Sequence, residues 1–333
     1  MRRVDVVIPC YNYARYLPQC VASVLGQQTI DARALIIDDC SSDDTPRIAT
    51  ALAAADARVE FRRHAVNRGH IDTYNEGLLE WANGDYVLLF SADDVLTPGA
   101  LARAVDAIEA HPEVGMAYGA EVTFEDKLPA LPPTDRGRAP YDIIAGRDLI
   151  ETCCIAADNP VGPTAVLRTS LQRIVGGYRK DMPHTADLAM WLCCAAHGSV
   201  ARINAVQCFK RAHPANMIKQ YATTVLPDLL QRRLAFDVSL TDHAPRIVGA
   251  AELLGRARVA LAGQAFWGAH RMFERGDLDL TSALLDLAVE LDPAWPSRPA
   301  WRRFGWKRRL GPRVWHMLAP LAKHVRQTGA HAD

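Results

Sequence analysis

Short apolar runs rich in β-branched residues alternate along the first half of the chain with segments whose apolar residues recur every three or four positions. Val4 to Ile8 reads as a strand ended by Pro9, and 17–27, with Leu17, Cys20, Val21, Val24 and Leu25 on one face, reads as a helix. Ala34-Leu35-Ile36-Ile37 predicts a second strand, and Ser41-Ser42-Asp43-Asp44-Thr45 offers helix N-caps before the alanine-rich stretch to Ala55. A strand at 59–61, a helix at 71–82, an apolar strand at 86–90, a helix at 98–111 and a strand at 114–118 continue the alternation. This order predicts an α/β fold: a mostly parallel sheet flanked by helices, with ligands bound at the carboxyl ends of the strands.

The pattern breaks at 125–140 into a Pro-rich, charged loop. It resumes with a helix at 146–154, a strand at 164–167, a helix at 187–196 and a strand at 200–209. Beyond Pro214 everything reads helical. Leu280, Ala283, Leu284, Leu287, Ala288 and Leu291 keep helical spacing until Pro293; with 265–273 and the Gly276-Asp277 turn they predict one helical hairpin of tetratricopeptide type, without a second copy. The expected division is therefore 1–215, an α/β domain, and 216–333, a helical C-terminal region.

The chain has 333 residues, with 38 Lys+Arg against 38 Asp+Glu, so no global field draws it to nucleic acid. No apolar run reaches the ~20 residues that span a bilayer. The first residues enter a strand pattern at once, which predicts a cytoplasmic protein without a signal peptide. Eight scattered cysteines, most among apolar neighbours, suit buried thiols better than a disulfide framework.

The polar clusters fall at the predicted strand ends. The first strand leads into Pro9-Cys10-Tyr11-Asn12-Tyr13 without glycine, so neither a dinucleotide fingerprint nor a P-loop is present. The second ends in Asp38-Asp39, where a carboxylate can accept from a base N–H or a ribose hydroxyl. The fourth ends in Ser91-Ala92-Asp93-Asp94, and carboxylate oxygens there suit a hard divalent cation that neutralises a diphosphate. Either pair alone is ordinary turn chemistry. Both, at two strand ends of one alternating sheet, point to a nucleoside diphosphate.

Val7-Ile8-Pro9-Cys10-Tyr11-Asn12, Asp38 to Thr45, Asn67-Arg68-Gly69, Asn75-Glu76-Gly77 and Ala92-Asp93-Asp94 together resemble, in this order, the motifs of family 2 glycosyltransferases. The resemblance implies a GT-A fold and an inverting transfer from a nucleotide-diphosphate sugar to an unidentified acceptor. By position it implies that Pro9, Tyr11 and Asn12 border the nucleoside, that Asp39 reads the base, that Asp93 faces the ribose or donor sugar, and that Asp94 ligates Mg²⁺ or Mn²⁺. Ser91 stands where many relatives carry a first Asp, and Tyr74 where they often carry Arg. Arg68 is the candidate replacement for that charge, or a solvated loop residue.

His184-Thr185-Ala186-Asp187 resembles the segment whose Asp is the general base, with His184 as the fallback. Asp187 could equally cap the helix that follows, and Trp191 could stack on a sugar or sit in the core. Arg211-Ala212-His213-Pro214-Ala215-Asn216-Met217 resembles another family segment; its His213 is either a group near the metal or diphosphate, or a surface histidine. A nucleotide-sugar-binding protein without turnover, or a transferase with a peptide or small-molecule acceptor, are the competing readings.

The tail adds a further partner. Between Asp292 and Asp333 there is no acidic residue, whereas nine Arg and Lys are interleaved with Trp295, Trp301, Trp306 and Trp315. Basic and indole side chains together suit a membrane surface. Packing on the catalytic domain and a homodimer contact are the alternatives.

Overall fold

The computed structural model describes residues 1–130, 139–214, 216 and 225–329, with backbone alone at 316 and 318–329. The middle of the expected 125–140 loop, together with Ala215 and Met217, lies outside the described residues.

Four strands build the parallel half of the sheet: β1 (Arg3–Cys10), β2 (Asp31–Asp38), β3 (Val59–Arg63) and β4 (Tyr86–Leu89). Helices α1 (Leu17–Leu25), α2 (Thr45–Ala55) and α3 (His70–Asn75) connect them, and α3 runs on into a π-helical turn, Glu76–Trp81. The turn lies so close to β1 that a Cβ on Gly77 would come within 2.2 Å of Val7 Cγ1. Strand alternation sorts the side chains into two cores. Val4, Val6, Ile8 and Ile36 pack with Leu17, Val21 and Val24 of α1, whereas Val7, Leu35 and Ile37 face the opposite layer.

The second half contains β5 (Val95–Leu96), α4 (Ala100–Glu109), β6 (Val114–Phe124), β7 (Tyr141–Ile144), α5 (Gly146–Ala156), β8 (Val166–Arg168), α6 (Thr169–Val175), α7 (Ala186–Ala195) and β9 (Ser199–Arg211). The nine strands form one sheet in the order β3-β2-β1-β4-β8-β6-β9-β5, with β7 added to β9. Here the expectation of a mostly parallel sheet is corrected. β8 runs antiparallel to both β4 and β6, and β5 and β7 run antiparallel to β9. Side-chain periodicity reports which faces are buried and carries no information on strand direction, which the connections decide. The short β5, β7 and α6 escaped the sequence reading for a related reason: two to seven residues carry too little periodicity.

Four longer helices follow: α8 (Val225–Asp242), α9 (Ala250–Glu274), α10 (Leu278–Leu291) and α11 (Pro299–Gly329). The expected hairpin is α9–α10. Gly276 takes φ 82° at its turn, and the Asp277 side chain accepts from Leu280 N–H to start α10. These helices share the core layer of α5 and α7, so Phe236, Leu253 and Leu261 belong to the cluster that contains Val7. Trp295 stacks on Phe266 at 4.9 Å between centroids, and Trp301 lies over the same ring at 5.9 Å. Trp315 is partly buried against the same core, so three of the four tail tryptophans pack the protein and Trp306 stays exposed. α11 breaks at Gly311, whose φ of 77° is not helical. All eight cysteines are free, and no helix among the described residues is long and apolar enough to cross a membrane.

Candidate functional site

The carboxyl ends of β1, β2 and β4 lie side by side because Cys10 pairs with Asp38, and Val7 with Leu89. Asn12 follows β1 at φ 59°, a left-handed conformation that asparagine tolerates. Its Oδ1 accepts from Ser42 N–H at 2.9 Å, and its own N–H donates to Ser41 Oγ at 2.8 Å. Asn12 thus clasps the loop after β2, and the adjacent Tyr11 keeps a half-exposed ring. Asp39 is buried and similarly engaged. Its carboxylate accepts from the backbone N–H groups of Arg68 (2.7 Å) and Gly69 (2.8 Å) and meets His64 Nδ1 at 2.7 Å. Arg68 does not reach out as a free cation, because its guanidinium pairs with Glu76 Oε2 at 3.0 Å, which also holds His64 Nε2. The Asn67-Arg68-Gly69 and Asn75-Glu76-Gly77 motifs meet in this network.

Asp93 and Asp94 follow β4 and are both buried. Asp94 Oδ1 accepts from Arg211 N–H at 2.9 Å; Asp93 Oδ2 lies 3.0 Å from His213 Nε2 and accepts from Asn216 Nδ2 at 3.1 Å. Burial first, and the neighbouring Asp93 charge second, push the Asp94 carboxyl up to about 8. The Arg211 backbone N–H is the main opposing influence, whereas its guanidinium is engaged elsewhere: it lies over Tyr16 (4.6 Å) and Phe124 (4.4 Å) and donates to the Asp93 carbonyl and to Gln19. His213 is no surface histidine. It is buried between Tyr13 and Tyr16, with Nε2 given to Asp93 and Nδ1 left without a partner.

This donor set fits a hard divalent cation. Two buried carboxylates side by side, one carrying a raised pKa, are a pair that a cation would relieve. Among the described residues no group of three His, Cys, Asp or Glu is arranged to enclose an ion. Any cation here would draw its remaining ligands from water or from a bound phosphate, and His213 stands behind Asp93 rather than beside it as a third ligand.

A cavity of about 830 Å³ opens next to these strand ends. Pro9 and Ser91 line it on the sheet side, and His184, Asp187 and Trp191 line another wall. Asp187 is the second residue of α7, whose N-cap is Thr185, so the capping alternative does not apply. Its Oδ2 accepts from Asn159 Nδ2 at 2.9 Å. Asp187 keeps access to water through the cavity, yet the surrounding protein raises its pKa by desolvation. His184 turns the other way, with Nε2 at 2.8 Å from Asp228 Oδ1. Trp191 is buried edge-on against Tyr178, and its Nε1 has no partner. The cavity thus gathers Pro9, His184 and Asp187, whereas Tyr11, Asn12, Asp39, Arg68, Asp93, Asp94 and His213 lie outside its lining.

Several contributors were missed in the sequence. Asp228 and Arg232, one helical turn apart on α8, form an ion pair at 2.6 Å on the cavity's far wall. Lys210 Nζ donates to Glu121 Oε1 at 3.2 Å across β6 and β9. The i,i+4 spacing of Asp228 and Arg232 was the available signal; Glu121 and Lys210, far apart in sequence, left none.

Residues 5–168 match the family described as Glycosyl transferase family 2. A glycosyltransferase of Nostoc sp. is 26% identical over 215 residues, 64% of this chain and 66% of that protein. The chain spans less than two thirds of the length of the curated relatives it matches. Among solved structures, S. aureus TarS 1–349 in complex with UDP-GlcNAc superposes with a TM-score of 0.59 at 14% identity, covering 89% of this chain and 92% of that one. The mannosyltransferase PcManGT of Pyrobaculum calidifontis, in complex with GDP-Man and Mn²⁺, gives 0.54 at 18% identity, over 89% and 88%. The family part of the sequence resemblance agrees with these matches. The GT-A label is withdrawn: likeness to these chains over nine tenths of the sequence, helical region included, and the mixed sheet take its place.

Proposed function

We propose that the chain is a family 2 glycosyltransferase that moves a sugar, with inversion, from a nucleotide-diphosphate donor to an acceptor hydroxyl in glycoconjugate or polysaccharide assembly. The observation that carries this reading is the cavity itself. It runs from Pro9 and Ser91, at the strand ends that lead to Asp93 and Asp94, to Asp187 at the head of α7. The family match over 5–168 and the nucleotide-sugar complexes of the similar structures support it.

In this reading Pro9 and the exposed Tyr11 ring border the nucleoside. Asn12, Asp39 and Arg68 hold the loops that form its pocket. Asp94, with Asp93, holds Mg²⁺ or Mn²⁺, which when bound would neutralise the leaving diphosphate. Asp187 takes the proton from the acceptor hydroxyl as its oxygen attacks the anomeric carbon. His184, anchored by Asp228, shapes the wall beside it. Residues 1–215 form the catalytic unit, and the helices of 216–333 close the acceptor side through Arg232, Gln264 and Arg271.

The test is calorimetric titration of the protein with nucleoside diphosphates and their sugars, in Mn²⁺ and in EDTA. The reading predicts cation-dependent binding of at least one base. Absence of binding across uridine, thymidine and guanosine diphosphates would overturn it.

A further inference from the structure

Helix α11 shows a face that neither the cores nor the candidate site uses. Trp301 and Phe304 turn inward, Phe304 against His270 at 5.0 Å and Phe273 at 5.4 Å between centroids. These contacts fix the rotation of the helix about its axis. At roughly 100° per residue, Trp306 and Leu310 then share the outward face, one turn apart and opposite Phe304. They are 67% and 45% exposed. Arg302, Arg303 and Arg309 flank them on the same arc and are exposed, and Arg309 lies over the Trp306 ring at 5.0 Å. Two other cations of this region are matched: Arg298 pairs with Asp292 at 2.7 Å, and Lys307 approaches Glu274 at 4.0 Å. The outward arginines have no carboxylate partner among the described residues. Beyond the break at Gly311, Val314 and Met317 are exposed as well.

We propose that this face of α11 docks the protein on an anionic lipid surface. An indole and a leucine flanked by unpaired guanidinium groups reproduce the chemistry of an interfacial helix: rings at headgroup depth, cations among lipid phosphates. Charge complementarity selects this occupant. A second copy of the chain would bring the same arginines against each other, and a neutral apolar partner would leave three cations unmatched. Because Trp295, Trp301 and Phe304 pin the helix to α9, docking there would set the orientation of the whole chain against the membrane.

Flotation of the full chain with phosphatidylcholine vesicles, with and without phosphatidylglycerol, tests this. Binding is expected only to the anionic vesicles, and it should weaken as salt screens the arginines. Replacing Arg302, Arg303 and Arg309 by Gln together should reduce partitioning on the order of 100-fold, and Trp306→Ala on the order of tenfold. None of these residues lies near the cavity, so nucleotide binding by the variants controls for folding and reports separately on the proposed activity. No binding of the unaltered protein at low salt, equal binding to neutral vesicles, or an unaffected triple variant would overturn the proposal. So would concentration-dependent dimerisation, abolished by Trp306→Ala, in a protein that ignores vesicles.

Discussion

His184 Nε2 lies 2.8 Å from Asp228 Oδ1, a bond that ties the segment before α7 to the helical region. Asp228 also accepts from Arg232, which in turn donates to the Ala157 carbonyl and to Gln264 Oε1. One carboxylate on α8 thus braces the wall on which Asp187 sits. Asp228→Asn leaves the partly buried Arg232 with only the more distant, exposed Asp158 at 3.9 Å as counter-charge, at a cost of about 2 kcal/mol. Urea unfolding should show that loss, and the Asp228→Asn/Arg232→Met pair should lose less than the sum of the single changes. Additive losses would mean that the two residues act independently.

Asp187 carries the proposed base role, and Asn in its place keeps the shape without the basicity. Turnover should fall ~10²–10⁴-fold with donor affinity retained, and His184→Ala should be the milder change. The surrounding protein raises the Asp187 pKa by desolvation although its side chain stays open to the cavity, and the base works only when ionised. Turnover should therefore decline as pH falls through that raised value, above the ordinary aspartate range. An acid limb at or below that range would place the base elsewhere.

The Asp93–Asp94 pair ties cation binding to pH. With its pKa pushed up to about 8, Asp94 holds a proton in the folded chain that the unfolded chain has already released. From about pH 4 to 8 the unfolded state binds fewer protons, so this group's contribution to stability falls as pH rises. Thermal melts without metal should show the unaltered protein losing stability relative to Asp94→Asn over that window. Added Mn²⁺ should restore it at pH 8 and do nothing for the variant. A difference that stays constant with pH would remove the coupled pair.

Gly77 owes its place to contact rather than to catalysis. A methyl group there meets Val7 Cγ1, and forcing one into this layer costs about 1–3 kcal/mol. Gly77→Ala should lower the melting temperature while donor affinity per folded molecule is kept.

The parallel half of the fold was legible because each of its strands is a buried, β-branched run followed by a helical period. In the mixed half the longer elements were legible, but the strand directions and the short β5 and β7 were not. β8 has three residues and β5 two, and a run that short says nothing of its neighbours. In the site, Asp93 and Asp94 stand out in the sequence as carboxylates just past an apolar strand, and Asp187 as one at the start of an apolar helix. What was hidden is where the other charges go. Arg68 reads as a free cation until Glu76 meets it, and His213 reads as a loop histidine until Tyr13 and Tyr16 bury it. The tail misled in the same way, since an indole buried on Phe266 and one left in water look alike in sequence.

The most direct test of the account is turnover. Release of nucleoside diphosphate from a panel of nucleotide sugars should be measured in Mn²⁺ for the unaltered protein, Asp94→Asn and Asp187→Asn, and repeated in EDTA. The account predicts slow release from at least one donor, abolished by EDTA and by Asp94→Asn, and strongly reduced by Asp187→Asn although that variant still binds the donor. Release that persists undiminished in EDTA and in both variants would contradict it.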